Sequence, residues 1–512
     1  MVQARLRLAA SGVGERSFKV LRLLRQRLLV LAVLVLATPS PGIANADDVH
    51  DSGTQTAGDR DAGSFDGMLA VASARTEVVA GDAEMPPSQG ESEGSHAKWM
   101  IGDSLITDLS SDEGRPSLAV APNGDLWVAV EDADPSDPFI RIYRSTDGGR
   151  TWSFAWSAAS MPESRYPSLA YAENGIGDAW LFLVYEVYKS MELRSLHLFR
   201  FDPANPGAPG DMASIQDNIA TPGLDAIEPR LVTDNEEFPN PYLYLTYSVP
   251  LEDTTPVYYT RSTDLGMTWS IPLDVTGGAQ GTSWRSRPDI AFGAGSVYIP
   301  FVKPGAAPAD SDNEVWVAVG ANLGTAWGPP IQVTHSDDDY FWPAAAAAHN
   351  AAGTVVVAFS REYSGASDAD VHAVFSTDGG SSWSIESTLP WTFDDEATVD
   401  LAVSRSGSGS RFHAVFWRNH DVIYTTSGVA TPSAWSAGVR VNECNALSGV
   451  SRIDVAVDPS KPRASEAAVA WTDTRNAYHD AYFDSAVLFG SGVIFADGFE
   501  LGSTLAWSVT QP

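Results

Sequence analysis

Arg144-Ser145-Thr146-Asp147-Gly148-Gly149-Arg150-Thr151-Trp152-Ser153 is one of three near-copies of a ten-residue stretch. The others are Arg261-Ser262-Thr263-Asp264-Leu265-Gly266-Met267-Thr268-Trp269-Ser270 and Phe375-Ser376-Thr377-Asp378-Gly379-Gly380-Ser381-Ser382-Trp383-Ser384. The shared pattern Ser-x-Asp-x-Gly-x-Thr/Ser-Trp describes a turn. The Ser hydroxyl and Asp carboxylate can accept backbone N–H groups of the reversal, and Gly supplies the positive φ that it needs. Trp then leads into the next strand and plugs its indole into the layer below. The three Asp residues lie 117 and 114 positions apart, and a degenerate copy, Gly320 to Trp327, falls between the second and third. Repeats at this period predict a ring or solenoid of small sheets.

Ahead of each turn runs a longer pattern: a Pro-led apolar strand, a Gly/Asn turn, a second apolar strand, a polar loop and a third strand. The first copy reads Arg115-Pro116-Ser117-Leu118-Ala119-Val120, turn Pro122 to Asp125, Leu126 to Val130, then Phe139 to Tyr143. Alternation bounded by turn residues predicts strands. The same opening recurs at Tyr166, Glu228, Arg287 and Trp342, with weaker versions at Thr398 and Arg452. Successive gaps are 51, 62, 59, 55, 56 and 54 residues. Seven starts at a steady period predict an all-β, seven-bladed β-propeller, with six blades as the alternative. Trp269, Trp327, Trp383 and Trp435 mark fourth strands. The last repeat has strands near 452–458, 465–472 and 479–487 but no convincing fourth, whereas a spare strand, Lys98 to Thr107, precedes the first blade. Pairing these two closes the ring and leaves no open edge.

Residues 1–46 read as a secretory signal peptide: seven Lys/Arg between Arg5 and Arg27, an apolar run Leu28 to Ala37, and Ala44-Asn45-Ala46 before Asp47. That run is too short to span a bilayer comfortably. Residues 47–96 have the composition of a disordered linker, residues 97–490 hold the propeller, and 491–512 form a C-terminal tail. The tail is similar to short Asp-Gly-Phe-Glu…Trp-Ser tails on secreted proteins of some Gram-negative bacteria, which implies a sorting role; a frayed terminus is the other reading. The expected location is secreted or extracellular, with a bacterial periplasm or cell surface as variants. The formal charge is −33; removing the seven basic and one acidic residues of 1–46 leaves 25 against 64, or −39. Such a field repels nucleic acid and anionic membranes. Cys444 is the only cysteine, so no internal disulfide forms.

Strand order places the turns with the repeated Asp on the lower face. The upper face gathers the strand-one entrances around a funnel: Arg115, Tyr166, Glu228, Arg287, Trp342, Thr398 and Arg452, with Arg165 and Arg230 nearby. Planar guanidinium forks bind carboxylate bidentately, so the arginines suit an acidic ligand. Upper loops are rich in carboxylates (Asp132/Asp134/Asp137, Glu252-Asp253, Asp310/Asp312/Glu314, Asp337 to Asp339, Asp394 to Glu396). These suit Ca²⁺ in the oxygen-ligand sense, but none has EF-hand spacing, and solvated acidity is the plainer reading. No cofactor or metal is assigned; His335 is the one histidine worth testing as a ligand. His197, His372 and His413 fall inside strand patterns and are expected to be packed or exposed strand positions.

The repeated turns resemble the Asp box, or BNR repeat, of the sialidase-like β-propeller superfamily, over nearly all of 97–490. The resemblance implies an exo-glycosidase of sialidase type acting on an extracellular glycan. It assigns substrate binding to Arg115, Arg287, Arg452 and Trp342. Tyr166 would be the nucleophile with Glu228 as its base, and Asp134 or Asp137 the acid/base. Arg115-Pro116-Ser117-Leu118 is similar to the sialidase Arg-Ile-Pro element with one residue fewer, and Val128-Ala129-Val130-Glu131 to its strand ending in Ala-Glu. Two departures stand out: sialidases have six blades, and they draw their tyrosine from late in the chain. A non-catalytic propeller binding glycans or proteins at the cell envelope is the alternative. A Tyr/His lyase ranks lower because no histidine occupies a funnel position.

Overall fold

The computed structural model describes residues 103–485 except 108–110, 133–138, 159–162, 175–176, 191–192, 206–224, 235–239, 252–253, 279–286, 306–311, 365–367, 391–394, 405–408, 443–451, 458–466 and 476–478. The proposed signal, linker and tail, Asp134, Asp137, Asp310, Asp394 and Cys444 therefore lie outside the described residues, as do Glu252 and Asp253.

Seven antiparallel sheets follow one another along the chain. Blade one comprises Glu113–Val120, Leu126–Asp132, Phe139–Ser145 and Ser153–Ser157. Blade two shows three strands among the described residues, Ser164–Glu173, Ala179–Ser190 and Leu193–Phe201. Blades three to six begin at Ile227–Thr233, Ala291–Gly293, Asp339–Ala347 and Glu396–Val403. Blade seven consists of Ile453–Val457, Ala467–Asp473 and Asp480–Ser485. Its fourth strand is Ser104–Leu105, which pairs with Phe483 and Tyr482, so the beginning of the propeller completes its last blade. The architecture is an all-β, seven-bladed propeller closed by an N-terminal strand, and the six-blade alternative falls away.

Seven separate hydrophobic clusters fill the seven gaps between neighbouring blades. Each gap widens outward, and the residues follow that taper. Strand one of blade five contributes Ala345 and Ala347 to the gap with blade four, whereas Phe359, Tyr298 and Trp383 fill the same gap farther along the sheets. Small residues inside and large ones outside let wedge-shaped blades pack without voids.

The repeated turns are built alike. Ser145 Oγ donates to Asp147 Oδ1 (2.7 Å) and accepts Gly149 N–H (2.9 Å); Thr151 gives its N–H and hydroxyl to the two Asp147 oxygens (3.0 and 2.6 Å). The same bonds recur around Asp264 and Asp378 within 0.2 Å. The Ser382 hydroxyl and amide hold Asp378 down to about 2. Each Trp packs against the core shared with the preceding blade: Trp152 with blade seven, Trp269 with blade two and Trp383 with blade four. The degenerate copy keeps the glycine and the tryptophan but coils through left-handed Asn322 and Leu323.

Two expectations shift. Trp327 and Trp435 do lie in fourth strands, but Trp269 and Trp383 precede theirs, Leu273–Asp274 and Ser387–Thr388. In blade four Arg287 to Ile290 come before the strand rather than opening it. Regular pairing in blade four starts only at Ala291, after left-handed Arg287.

Candidate functional site

Six of the seven funnel residues, Arg115, Tyr166, Glu228, Arg287, Trp342 and Thr398, have positive φ, between 36° and 54°. Arg452 is the one outside this set. Left-handed backbone costs a non-glycine residue on the order of 1 kcal/mol or more. The cause is a β-bulge at the strand-one entrance. Blade one slips register between Gly114 and Ser117, blade two between Arg165 and Ser168, blade five between Phe341 and Ala344, and blade six between Ala397 and Val399. A bulge re-aims one side chain out of the strand's alternation. Proline follows five of the six, and the sixth, Thr398, is followed by Val399.

Arg115, Tyr166 and Glu228 form the tightest group. Both oxygens of Glu131 accept from Arg115 Nη1, at 2.7 Å, and Arg115 Nη2 donates to Tyr166 Oη at 3.3 Å. The guanidinium lies 4.0 Å from the Tyr166 ring centroid. Glu131 Oε2 also accepts the N–H of left-handed Tyr166 (3.1 Å), and one blade on Glu186 Oε1 accepts the N–H of left-handed Glu228 (2.6 Å). A glutamate of strand two thus holds the strained residue of the next blade in place. On the far side, Arg287 stacks 3.2 Å from the centroid of Trp342. The arginines are therefore committed to different partners, Arg115 to Glu131 and Tyr166 and Arg287 to Trp342. Arg452 heads blade seven, and Asp134 and Asp137 belong to the undescribed loop after blade one's second strand.

Electrostatics follow burial. Burial pushes Glu186 up to about 8 against the pull of the Glu228 amide. Burial pulls Arg115 down, but Glu131 more than compensates and leaves it above its ordinary value. Burial raises the Tyr166 phenol despite Arg115.

Below the mouth runs a second ring that sequence reasoning missed. In five of the seven blades the residue two places after the funnel position accepts an N–H from the next blade, and Arg230 and Ala344 hold the other two places. Ser117 takes Leu169 (3.0 Å), Ser168 takes Leu231 (3.0 Å), Asp289 takes Ala345 (2.8 Å), Asp400 takes Val455 (2.7 Å) and Asp454 takes Leu118 (3.2 Å). Arg230 interrupts this ring and stands 3.6 Å from Asp289. Burial, then the neighbouring Asp454, drives Asp400 well above the usual carboxylate range, and burial lifts Asp454 to about 6.

A carboxyl raised on folding stabilises the protein fully below its unfolded value and loses that contribution as pH rises through the folded one. Stability from this pair is therefore expected to decline from about pH 4 through 6 and above. Asp400→Asn keeps an acceptor for Val455 and removes one charge. It should stabilise the protein by about 1–3 kcal/mol at pH 8 and by little at pH 4, read as the change in melting temperature at both. Equal shifts at both pH values would sink this account.

Several described acidic residues of the loops are spent on the protein itself. Asp338 pairs with Arg361 (2.6 Å), and Asp339 accepts the amide and side chain of Asn313. His335 is exposed. Among the described residues, no group of three or more His, Cys, Asp or Glu is placed to hold a metal ion. His197, His372 and His413 are buried strand residues, and burial takes His413 down to about 3 beside the Tyr424 hydroxyl. The missed Glu186 had a signal in the sequence, since Val130-Glu131 and Tyr185-Glu186 occupy corresponding places in the second strands of blades one and two. Among the described residues, no helix is long and apolar enough to cross a membrane.

No protein-family model matches the chain, and no curated protein is recognisably similar to it in sequence. Some solved structures are similar to it at low identity. An alpha-L-arabinanase of Penicillium chrysogenum is 14% identical, covering 75% of this chain and 98% of that one, with a TM-score of 0.43. A polysaccharide lyase, an ulvan lyase, is 11% identical over 75% and 95%, with a TM-score of 0.48. A sialidase of Streptococcus pneumoniae is 10% identical over 75% and 70%, with a TM-score of 0.40.

Proposed function

We propose that this chain is a secreted propeller that engages extracellular glycans at its upper mouth, with sialidase-type hydrolysis as the activity. The observation that supports it is the ring of six left-handed funnel residues. Backbone strain of this kind persists where surrounding structure over-determines it, and it gathers at binding and catalytic sites. Glycine would relieve the strain at every position, yet arginine, tyrosine, glutamate and tryptophan occupy them. In this reading Arg115, Arg287, Arg452 and Trp342 grip the sugar. Tyr166 attacks the anomeric carbon as Glu228 takes its proton, and Asp134 or Asp137 protonates the leaving oxygen. Glu131 and Glu186 act as positioning residues.

Binding without turnover is the second reading, and one observation favours it. Burial makes the Tyr166 phenol harder to ionise, and its hydroxyl accepts from Arg115.

One set of measurements separates the two. Hydrolysis predicts release of aryl alcohol from an aryl sialoside, with Tyr166→Phe or Arg115→Ala lowering kcat/KM by about 10²–10³-fold. Binding alone predicts glycan-array signals that Arg115→Ala weakens, with no turnover. A protein that neither cleaves nor binds any glycan would remove both.

A further inference from the structure

The upper rim of the gap between blades two and three carries a guanidinium that folding leaves without an acidic partner. Phe182 and Val184 of blade two's second strand and Leu196 and Leu198 of its third fill that gap against blade three. Alternation puts Glu186, Tyr188 and Arg194 on the same side, and cross-strand pairing with Glu186 adds Arg165. The Arg194 guanidinium lies 4.8 Å from the Tyr188 ring centroid, and that of Arg165 lies 5.6 Å from it. All three residues are half-buried. Burial raises Glu186, and the Glu228 amide and then Arg194 pull it back, so Arg194 stands within electrostatic reach of the mouth.

The two arginines differ in what they have left to offer. Arg165 Nη2 pairs with Glu163 at 2.6 Å, with side chains 38% and 35% exposed, an arrangement worth little in water. Arg194 is held through its backbone: its N–H goes to Asp225 Oδ1 (2.8 Å), and its carbonyl takes the N–H of Ala226 (3.3 Å). Among the described residues, no hydrogen bond or ion pair engages its guanidinium. With 65 acidic residues to 32 basic ones, cations in this chain are not short of carboxylates, so an unclaimed one is out of pattern. A guanidinium presents its N–H donors in a planar fork that matches a carboxylate. Arg115, by contrast, is spent on Glu131. We propose that Arg194, with Arg165 beside it, is a specificity site for a carboxylate on the sugar that follows the one in the mouth, so that the preferred glycan carries two adjacent acidic sugars.

This inference rests on the reading that the upper mouth engages an acidic glycan. The test is calorimetric titration of the full chain, carrying Tyr166→Phe to prevent turnover, with sialyl-lactose and with disialyl-lactose. The two glycans differ in whether the second sugar bears a carboxylate. Disialyl-lactose should bind about tenfold more tightly, because one charge-assisted pair is worth at least that factor. Arg194→Gln should bring it down to the affinity of sialyl-lactose, which the substitution leaves unchanged. That variant loses no hydrogen bond of the folded state, so it tests binding rather than folding. Equal affinity for the two glycans, or a preference that survives Arg194→Gln, would overturn the rim assignment and leave the mouth reading intact. No binding of either glycan would remove the mouth reading, and this inference with it. Inorganic sulfate binding as tightly as disialyl-lactose, with the same Arg194 dependence, would replace the assignment with a simple anion site.

Discussion

Arg475→Met should cost the propeller about 3–5 kcal/mol, the usual effect of stripping a buried carboxylate of its cation. Arg475 sits just beyond the second strand of the last blade. Its Nη1 donates to Asp103 at 2.5 Å, its Nε to Asp473 at 2.9 Å, and its guanidinium lies 3.9 Å from the Tyr482 ring centroid. Asp103 precedes the short closing strand Ser104–Leu105, which contributes two paired residues to the seam. The side chains of Asp103 and Asp473 are 2% and 0% exposed, so neither charge can turn to water when the arginine goes. The clasp therefore ties the first described segment to the last blade, where a two-residue ladder alone would hold weakly. Urea denaturation of the full chain gives the comparison. A triple variant, Asp103→Leu with Asp473→Leu and Arg475→Met, should recover most of the loss, because it removes the stranded charges as well as the pair. An Arg475→Met protein within about 1 kcal/mol of the parent would show that the clasp contributes nothing to closure.

Gly149→Ala should come next, at about 2–5 kcal/mol, and Gly124→Ala is its control. Both glycines are left-handed, at φ 93° and 89°. A Cβ on Gly124 would meet nothing within 4 Å, so its cost is the conformational one alone, about 1 kcal/mol. A Cβ on Gly149 would stand 1.9 Å from the Phe483 ring, which also packs edge-on against Trp152 at 5.1 Å. Overpacking of that kind adds typically 1–3 kcal/mol. Phe483 pairs with Ser104, so the damage falls on the same seam that Arg475 clasps. Combining Gly149→Ala with Arg475→Met should therefore be non-additive, whereas Gly124→Ala with Arg475→Met should be nearly additive. Equal losses for the two glycine variants would mean that the turn glycine serves only the backbone and not the fit between blades.

The repeated turn was legible because its chemistry is local. Ser145, Asp147, Gly149 and Thr151 satisfy one another within a few residues, so the pattern survives in the one-dimensional record. Blade count followed from the spacing of strand-one entrances, and ring closure from a strand missing at one end and spare at the other. The candidate mouth was legible only as a roll of residues. That Arg115 would stack on Tyr166 while Arg287 stacks on Trp342 depends on neighbours 51 and 55 positions away. Glu186 looked like an ordinary strand residue.

Sequence alone determined that this chain builds a wheel of small sheets, since each sheet's alternation, turns and bracing tryptophan are encoded within some fifty to sixty residues. Tertiary structure decided which side chains face one another across the axis and how far the backbone bends to aim them. The left-handed entrances, the glutamates that hold them and the raised carboxyls of Asp400 and Asp454 all arise from contacts between blades. Such contacts carry no period along the chain, because closing the ring is what brings their partners together.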